Sequence, residues 1–99
     1  MDTVFLYQGQ RFAWDTEKAV LNLLKHAIAF EKACEVFFDP FVRLVDASDR
    51  EEVREAVLGL TEDMALLFVV HVFREGDTIR IISARLATSQ ERKAYEEDD

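Results

Sequence analysis

Lys25 and His26 are the chain's one adjacent pairing of a histidine with a cationic side chain. An unperturbed imidazole titrates near pH 6.5, so His26 can take or give a proton close to neutrality, and Lys25 adds positive charge beside it. Arg54, Arg80 and Arg85 can supply planar guanidinium forks that match the oxygens of a phosphate. Glu52, two residues from Arg54, can orient that arginine or act as a base. Trp14 carries an indole that can stack on an unpaired base. Proton transfer beside a bound oxyanion is the chemistry these types support.

Each residue also has a plainer use. A histidine at a helix end serves as a C-terminal cap, and Lys25 alone is a solvated lysine. Glu52 and Arg54 share a strand face and can form a surface ion pair worth at most ~1 kcal/mol. Trp14 suits a core. His71, inside an apolar strand, reads as a buried histidine with its bonds satisfied. Arg80 and Arg85 are five positions apart, so strict alternation sends them to opposite sheet faces. They share a site only if the chain leaves the strand near Ala84. Arg80 also suits a pair with an acidic residue, and Glu91, Arg92 and Lys93 an exposed helix face or partner contact.

The elements that must hold these residues follow from patterning. Val4 to Tyr7 and Arg11 to Trp14, separated by Gln8-Gly9-Gln10, predict a small hairpin. Asp15 is placed to cap a helix over Thr16 to His26, with Ala19, Val20, Leu23 and Leu24 on one face. A second helix is expected over about Phe30 to Phe37, stopped by Asp39-Pro40. Phe41 to Val45 reads as a strand. Ser48 and Glu51 match a capping box, and Glu51 to Leu58 has helix propensity, although Arg54, Ala56, Leu58 and Leu60 alternate as on a strand. Ala65 to Phe73 and Thr78 to Ala84 predict a hairpin around Glu75-Gly76-Asp77. Thr88 with Glu91 starts a last helix. The fold class is α+β, with an antiparallel sheet of about four strands, two N-terminal helices and one C-terminal helix.

The chain's 99 residues and 11.5 kDa suit one domain over residues 1–99. With 49% hydrophobic residues, it has the material for a core. The net charge is −8, and Glu96, Glu97, Asp98 and Asp99 read as a frayed acidic tail supplying half of it. This charge disfavours a non-specific DNA coat. The lone Cys34 forms no internal disulfide, and no paired Cys/His spacing suggests zinc. We expect no metal, no cofactor and a cytoplasmic location. The longest apolar run, Met64 to Val70, falls short of the ~20 residues that span a bilayer, so no membrane role is expected.

Four stretches carry a family resemblance: Phe12-Ala13-Trp14-Asp15; Asn22 with Lys25-His26 and Phe30-Glu31-Lys32-Ala33; Phe38-Asp39-Pro40; and Arg80-Ile81-Ile82-Ser83-Ala84-Arg85 with Glu91-Arg92 and Tyr95. From about Phe12 to Glu96 the chain resembles the BrnT family, ribonuclease toxins of bacterial type II toxin–antitoxin systems with a RelE-like fold. The resemblance implies a metal-independent endoribonuclease that uses the neighbouring 2′-hydroxyl of RNA as nucleophile. It implies neutralisation by a BrnA-like ribbon-helix-helix antitoxin in a heterotetramer, with DNA reached only through that antitoxin. It makes the segment around Glu52 and Arg54 a strand, against local helix propensity. In its light Lys25, His26, Glu52, Arg54, Arg80 and Arg85 become the expected catalytic set and Trp14 the expected substrate contact.

The sequence departs from the family pattern in three places. Ala27 replaces the usual glycine after Lys25-His26, predicting either a left-handed residue strained by about 1 kcal/mol or another turn. Ala29 replaces a polar cap, and Val53 replaces one of two glutamates. The acidic balance also motivates an alternative: a catalytically silent module that pairs with a transcriptional repressor and tunes its DNA binding.

Overall fold

The computed structural model describes residues 1–46 and 54–97. Strands Asp2–Tyr7 (β1) and Gln10–Asp15 (β2) form an antiparallel hairpin from Asp2↔Asp15 to Tyr7↔Gln10. Its turn residues Gln8 and Gly9 both take positive φ, 49° and 82°, as a tight hairpin of this twist demands. Asp15 then caps Thr16–His26 (α1), its carboxylate accepting from the backbone N–H of Glu17 at 2.9 Å and Lys18 at 3.2 Å. Ala27 ends α1 in the left-handed region at φ 59°, ψ 27°, so the strained form of the turn is the one adopted.

The helix expected over Phe30 to Phe37 is shorter. Phe30–Ala33 (α2) is a single turn without a side-chain cap at Ala29, and Cys34–Phe38 tightens into a 3-10 helix. That segment lies close on the sheet: a Cβ at Gly59 would sit 2.8 Å from the Val36 carbonyl oxygen. The remaining elements are strands Arg43–Asp46 (β3), Glu55–Leu60 (β4), Leu66–Arg74 (β5) and Thr78–Leu86 (β6), then helix Ser89–Glu96 (α3). The Thr88/Glu91 capping box is fully formed, whereas Ser48 and Glu51 lie outside the described residues.

The expectation of four antiparallel strands is corrected: the sheet has six strands in the order β1-β2-β6-β5-β4-β3 and is mixed. The first hairpin joins it through a short parallel pairing, Phe12↔Ile79 and Ala13↔Arg80. Beyond Ala13 α1 packs along β6. There the Asn22 side-chain amide donates to the Ala84 carbonyl at 2.8 Å and accepts from the Ala84 N–H at 3.2 Å. One side chain thus satisfies both backbone groups that a neighbouring strand would otherwise pair. Glu96, expected in a frayed tail, is the last residue of α3, and Glu97 is its C-cap.

The core lies between one sheet face and the α1–α2 segment. Phe12, Trp14, Val57, Leu67, Val69, Ile79, Ile81 and Ala84 meet Phe30, Ala33, Cys34 and Val36 there. Among the described residues no helix is long and apolar enough to cross a membrane.

Candidate functional site

Strand alternation puts the apolar core on one sheet face and leaves the other face to different residues. Phe12 and Trp14 turn inward, so Arg11 turns outward. Leu67, Val69 and His71 turn inward, so Phe68, Val72 and Arg74 turn outward. Pairing carries this across the sheet: Arg80 opposite Val72, Arg85 opposite Phe68, and Arg43 opposite Leu58. Arg54 immediately precedes β4. One step beyond Glu55↔His71 puts it beside Val72, whose other neighbour is Arg80. The outward face therefore collects Arg11, Arg43, Arg54, Arg74, Arg80 and Arg85 in a chain of net charge −8.

Arg80 and Arg85 share this face for a reason different from the one expected. The strand does not end near Ala84; it runs to Leu86. A register shift between Val70 and His71 gives the pairs Val70↔Ser83 and His71↔Ile81, leaving Ile82 as an inserted residue. A bulge of one residue resets side-chain parity. It turns Arg85 to the same side as Arg80 without ending the ladder.

Both arginines are engaged by carboxylates. Arg80 makes a two-pronged pair with Asp2, at 2.9 and 3.0 Å, and the hydrogen bond lowers the pKa of Asp2 and raises that of Arg80. Arg85 is held by Glu91 at 2.8 and 2.9 Å, its guanidinium 4.3 Å above the Phe68 ring. Glu91 is thus tied to the sheet and is not part of a freely exposed helix face. Its carboxylate also accepts the Thr88 N–H, and the Arg85 bond holds its pKa low against the opposing effect of burial.

Lys25 and His26 line a shallow cleft of about 210 Å³ with Lys18, Leu21, Asn22, Ile82 and Ser83. Ser83, opposite outward-facing Val70, links this cleft to the arginine face. Lys18 was not singled out from sequence, although its seven-residue spacing from Lys25 marks one side of a helix. Glu52 lies outside the described residues.

Trp14 is corrected to a core residue. It is 2% exposed, packed against Phe5 and Phe30, and has no open face for a base. His71 is buried as expected, but its bonds are not all satisfied. Nε2 lies 3.6 Å from Glu55, the ring meets Phe37 and Phe73 edge-on, and Nδ1 has no hydrogen-bond partner among the described residues. Burial lowers its pKa despite Glu55 nearby. Burial likewise pushes the Cys34 thiol up to about 12, which disfavours the thiolate.

The model of the family described as "Ribonuclease toxin, BrnT, of type II toxin-antitoxin system" matches residues 14–91. The chain belongs to the BrnT family. A solved BrnT structure, the ribonuclease toxin of Brucella abortus, matches with a TM-score of 0.62 at 21% identity. The match covers 77% of this chain and 94% of that one. This likeness shows a shared fold. No curated protein matches the chain. Membership in a BrnT toxin–antitoxin family implies a protein antitoxin as counterpart.

The Phe38-Asp39-Pro40 segment of this BrnT-family chain has a structural task. Asp39 accepts the N–H of Phe41 at 2.9 Å and of Leu60 at 2.8 Å, and the Tyr95 hydroxyl. It therefore joins a turn, the end of β4 and α3. Burial opposes its charge, but these three bonds outweigh burial and keep its pKa low. Burial and the same bond raise Tyr95 to about 12.

Proposed function

We propose that this chain is an endoribonuclease toxin that cleaves RNA without a metal. What supports this best is that Ser83, in the wall of the Lys25–His26 cleft, stands on β6 between Arg80 and Arg85 and on their face of the sheet, with Arg54 just before β4. In this reading His26 and Glu52 share the acid–base work: one takes the proton of a 2′-hydroxyl, whose oxygen then attacks the adjacent phosphorus. The 5′-oxygen leaves and takes a proton, giving a 2′,3′-cyclic phosphate and a 5′-hydroxyl. Lys25 and the arginines stabilise the extra negative charge on the pentacovalent phosphorus. Arg80 and Arg85 are oriented by Asp2 and Glu91, whose carboxylates a phosphate must displace or share. The counterpart is a BrnA-like ribbon-helix-helix antitoxin that brings two toxins into a heterotetramer in the cytoplasm.

The test is expression of the chain alone in bacteria, following growth and bulk RNA. Growth arrest with RNA fragmentation is expected, and His26→Ala or Arg54→Ala should each restore growth by lowering cleavage at least 100-fold. Normal growth with intact RNA at good expression overturns the proposal. The two carboxylate-bound arginines favour one second reading, a silent module that pairs with a transcriptional repressor and tunes its DNA binding. Tight antitoxin binding without RNA cleavage would select it.

A further inference from the structure

Arg11 and Arg74, which the cleavage scheme does not use, stand with Arg80 around a second concavity. It has a volume of about 520 Å³ and includes Asp2, Thr78 and Glu75 in its walls. We propose that Arg11 and Arg74 form a phosphate-binding subsite for RNA that adjoins Arg80, outside the Lys25–His26 cleft and on the same sheet face as Arg54 and Arg85. This rests on the ribonuclease reading and extends it: the cleft cuts one linkage while the subsite grips the same strand further along.

The register supports the subsite. Arg74 pairs with Thr78, and Phe12↔Ile79 sets Arg11 one step away, on the other side of Thr78. Neighbouring strands lie ~4.8 Å apart, so the two arginines branch from strands on either side of Thr78. Arg80 follows two residues along β6, its fork fixed by Asp2. Arg11 and Arg74 are exposed and form no ion pair among the described residues. Asp2 and Glu75 offset part of the charge but leave three cations against two anions at the rim. Paired strands hold the bases of all three side chains at fixed spacing, and planar forks suit phosphate oxygens. Exposed Val4 beside them offers apolar surface to ribose or base. Because the subsite shares its face with the proposed cleavage residues, an RNA strand in the cleft fits it better than an acidic protein segment does.

The probes are fluorescein-labelled 2′-O-methyl RNAs, whose blocked hydroxyl prevents cleavage, as a trimer and a mixed-sequence 12-mer. Anisotropy is read from 50 to 300 mM salt for wild type and Arg11→Gln/Arg74→Gln, with circular dichroism to verify folding. Cleavage of the unmodified 12-mer gives kcat and KM. The double variant should weaken 12-mer binding about tenfold and raise KM with kcat kept. Its salt slope should become shallower by ~1.4, or ~0.7 for each of two lost phosphate contacts on a single strand. Trimer binding should not change. Unchanged 12-mer affinity and slope overturn the subsite, as does an equal loss with the trimer. Retained RNA binding with lost antitoxin binding also overturns it and makes the patch a protein contact. A wild type that neither binds nor cuts RNA overturns the ribonuclease reading itself, so the two failures are distinguishable.

Discussion

Ala27 directly follows His26 and takes the left-handed conformation that closes α1, its N–H donating to the Leu23 carbonyl at 2.9 Å. A Cβ in that region crowds the backbone, and glycine avoids the clash. Ala27→Gly should therefore stabilise the fold by about 1 kcal/mol, after allowing for glycine's greater freedom when unfolded. The melting temperature should rise by roughly 4–8 °C, with cleavage unchanged because the cleft backbone stays as it is. No rise on thermal unfolding would show that the turn carries no such strain. His71 gives a pH prediction. Its folded-state pKa lies below the ordinary 6.5, so the unfolded chain takes up a proton that the folded one resists. Its stabilising contribution is full above pH ~6.5 and is lost as pH falls through that value toward the folded pKa. Urea midpoints at pH 7.5 and 5.5 should fall further apart for wild type than for His71→Gln. Equal differences would remove His71 as the cause.

At the level of elements, the 3-10 helix over Cys34–Phe38 and β4 meet at Gly59, which leaves no room for a methyl group: an added Cβ would lie 2.8 Å from the Val36 carbonyl oxygen and 2.9 Å from its Cβ. Neither atom is the end of a flexible side chain, so Gly59→Ala should cost about 1–3 kcal/mol by forcing the two elements apart. Urea unfolding that gave wild-type stability would show that they separate freely. Elements set by local chemistry were the legible ones: the Asp15 cap, the Thr88/Glu91 box and the Gly9 hairpin each depend on residues within a few positions. The β2–β6 pairing was not, because Phe12 and Ile79 carry no local sign of each other. The close approach of the segment after Ala33 to the sheet also depends on a distant residue, Gly59. The site was legible in its residue types and only partly in its geometry. Arg80 and Arg85 share a face because of Ile82, whose insertion needs the partner strand to be seen. Arg11 and Arg74 were readable by parity alone, as polar neighbours of Phe12 and Phe73, but only once the two strands were known to be close.

For the whole molecule, a net charge of −8 opposes the approach of RNA at long range, while in the proposed function the arginine face attracts it at contact. The two effects separate with ionic strength. Long-range repulsion between exposed charges is screened beyond about 10 Å at 0.1 M salt and reaches about 30 Å at 0.01 M. Direct guanidinium–phosphate contacts act at shorter distance. Neutralising the last four residues as Glu96→Gln, Glu97→Gln, Asp98→Asn and Asp99→Asn removes half of the net charge. Among the described residues, Glu96 and Glu97 make only exposed ion pairs, with Arg92 at 3.7 Å and Lys93 at 4.0 Å, and such pairs contribute little to stability. Stopped-flow association with the 12-mer should therefore be several-fold faster for this variant than for wild type at 0.01 M salt, with the two converging by 0.3 M. Dissociation rates should match throughout, because the arginine contacts are untouched. A faster association that persisted at high salt would place the C-terminal carboxylates in direct competition for the RNA site. Equal rates at low salt would show that the local field of the arginines already outweighs the charge of the whole chain.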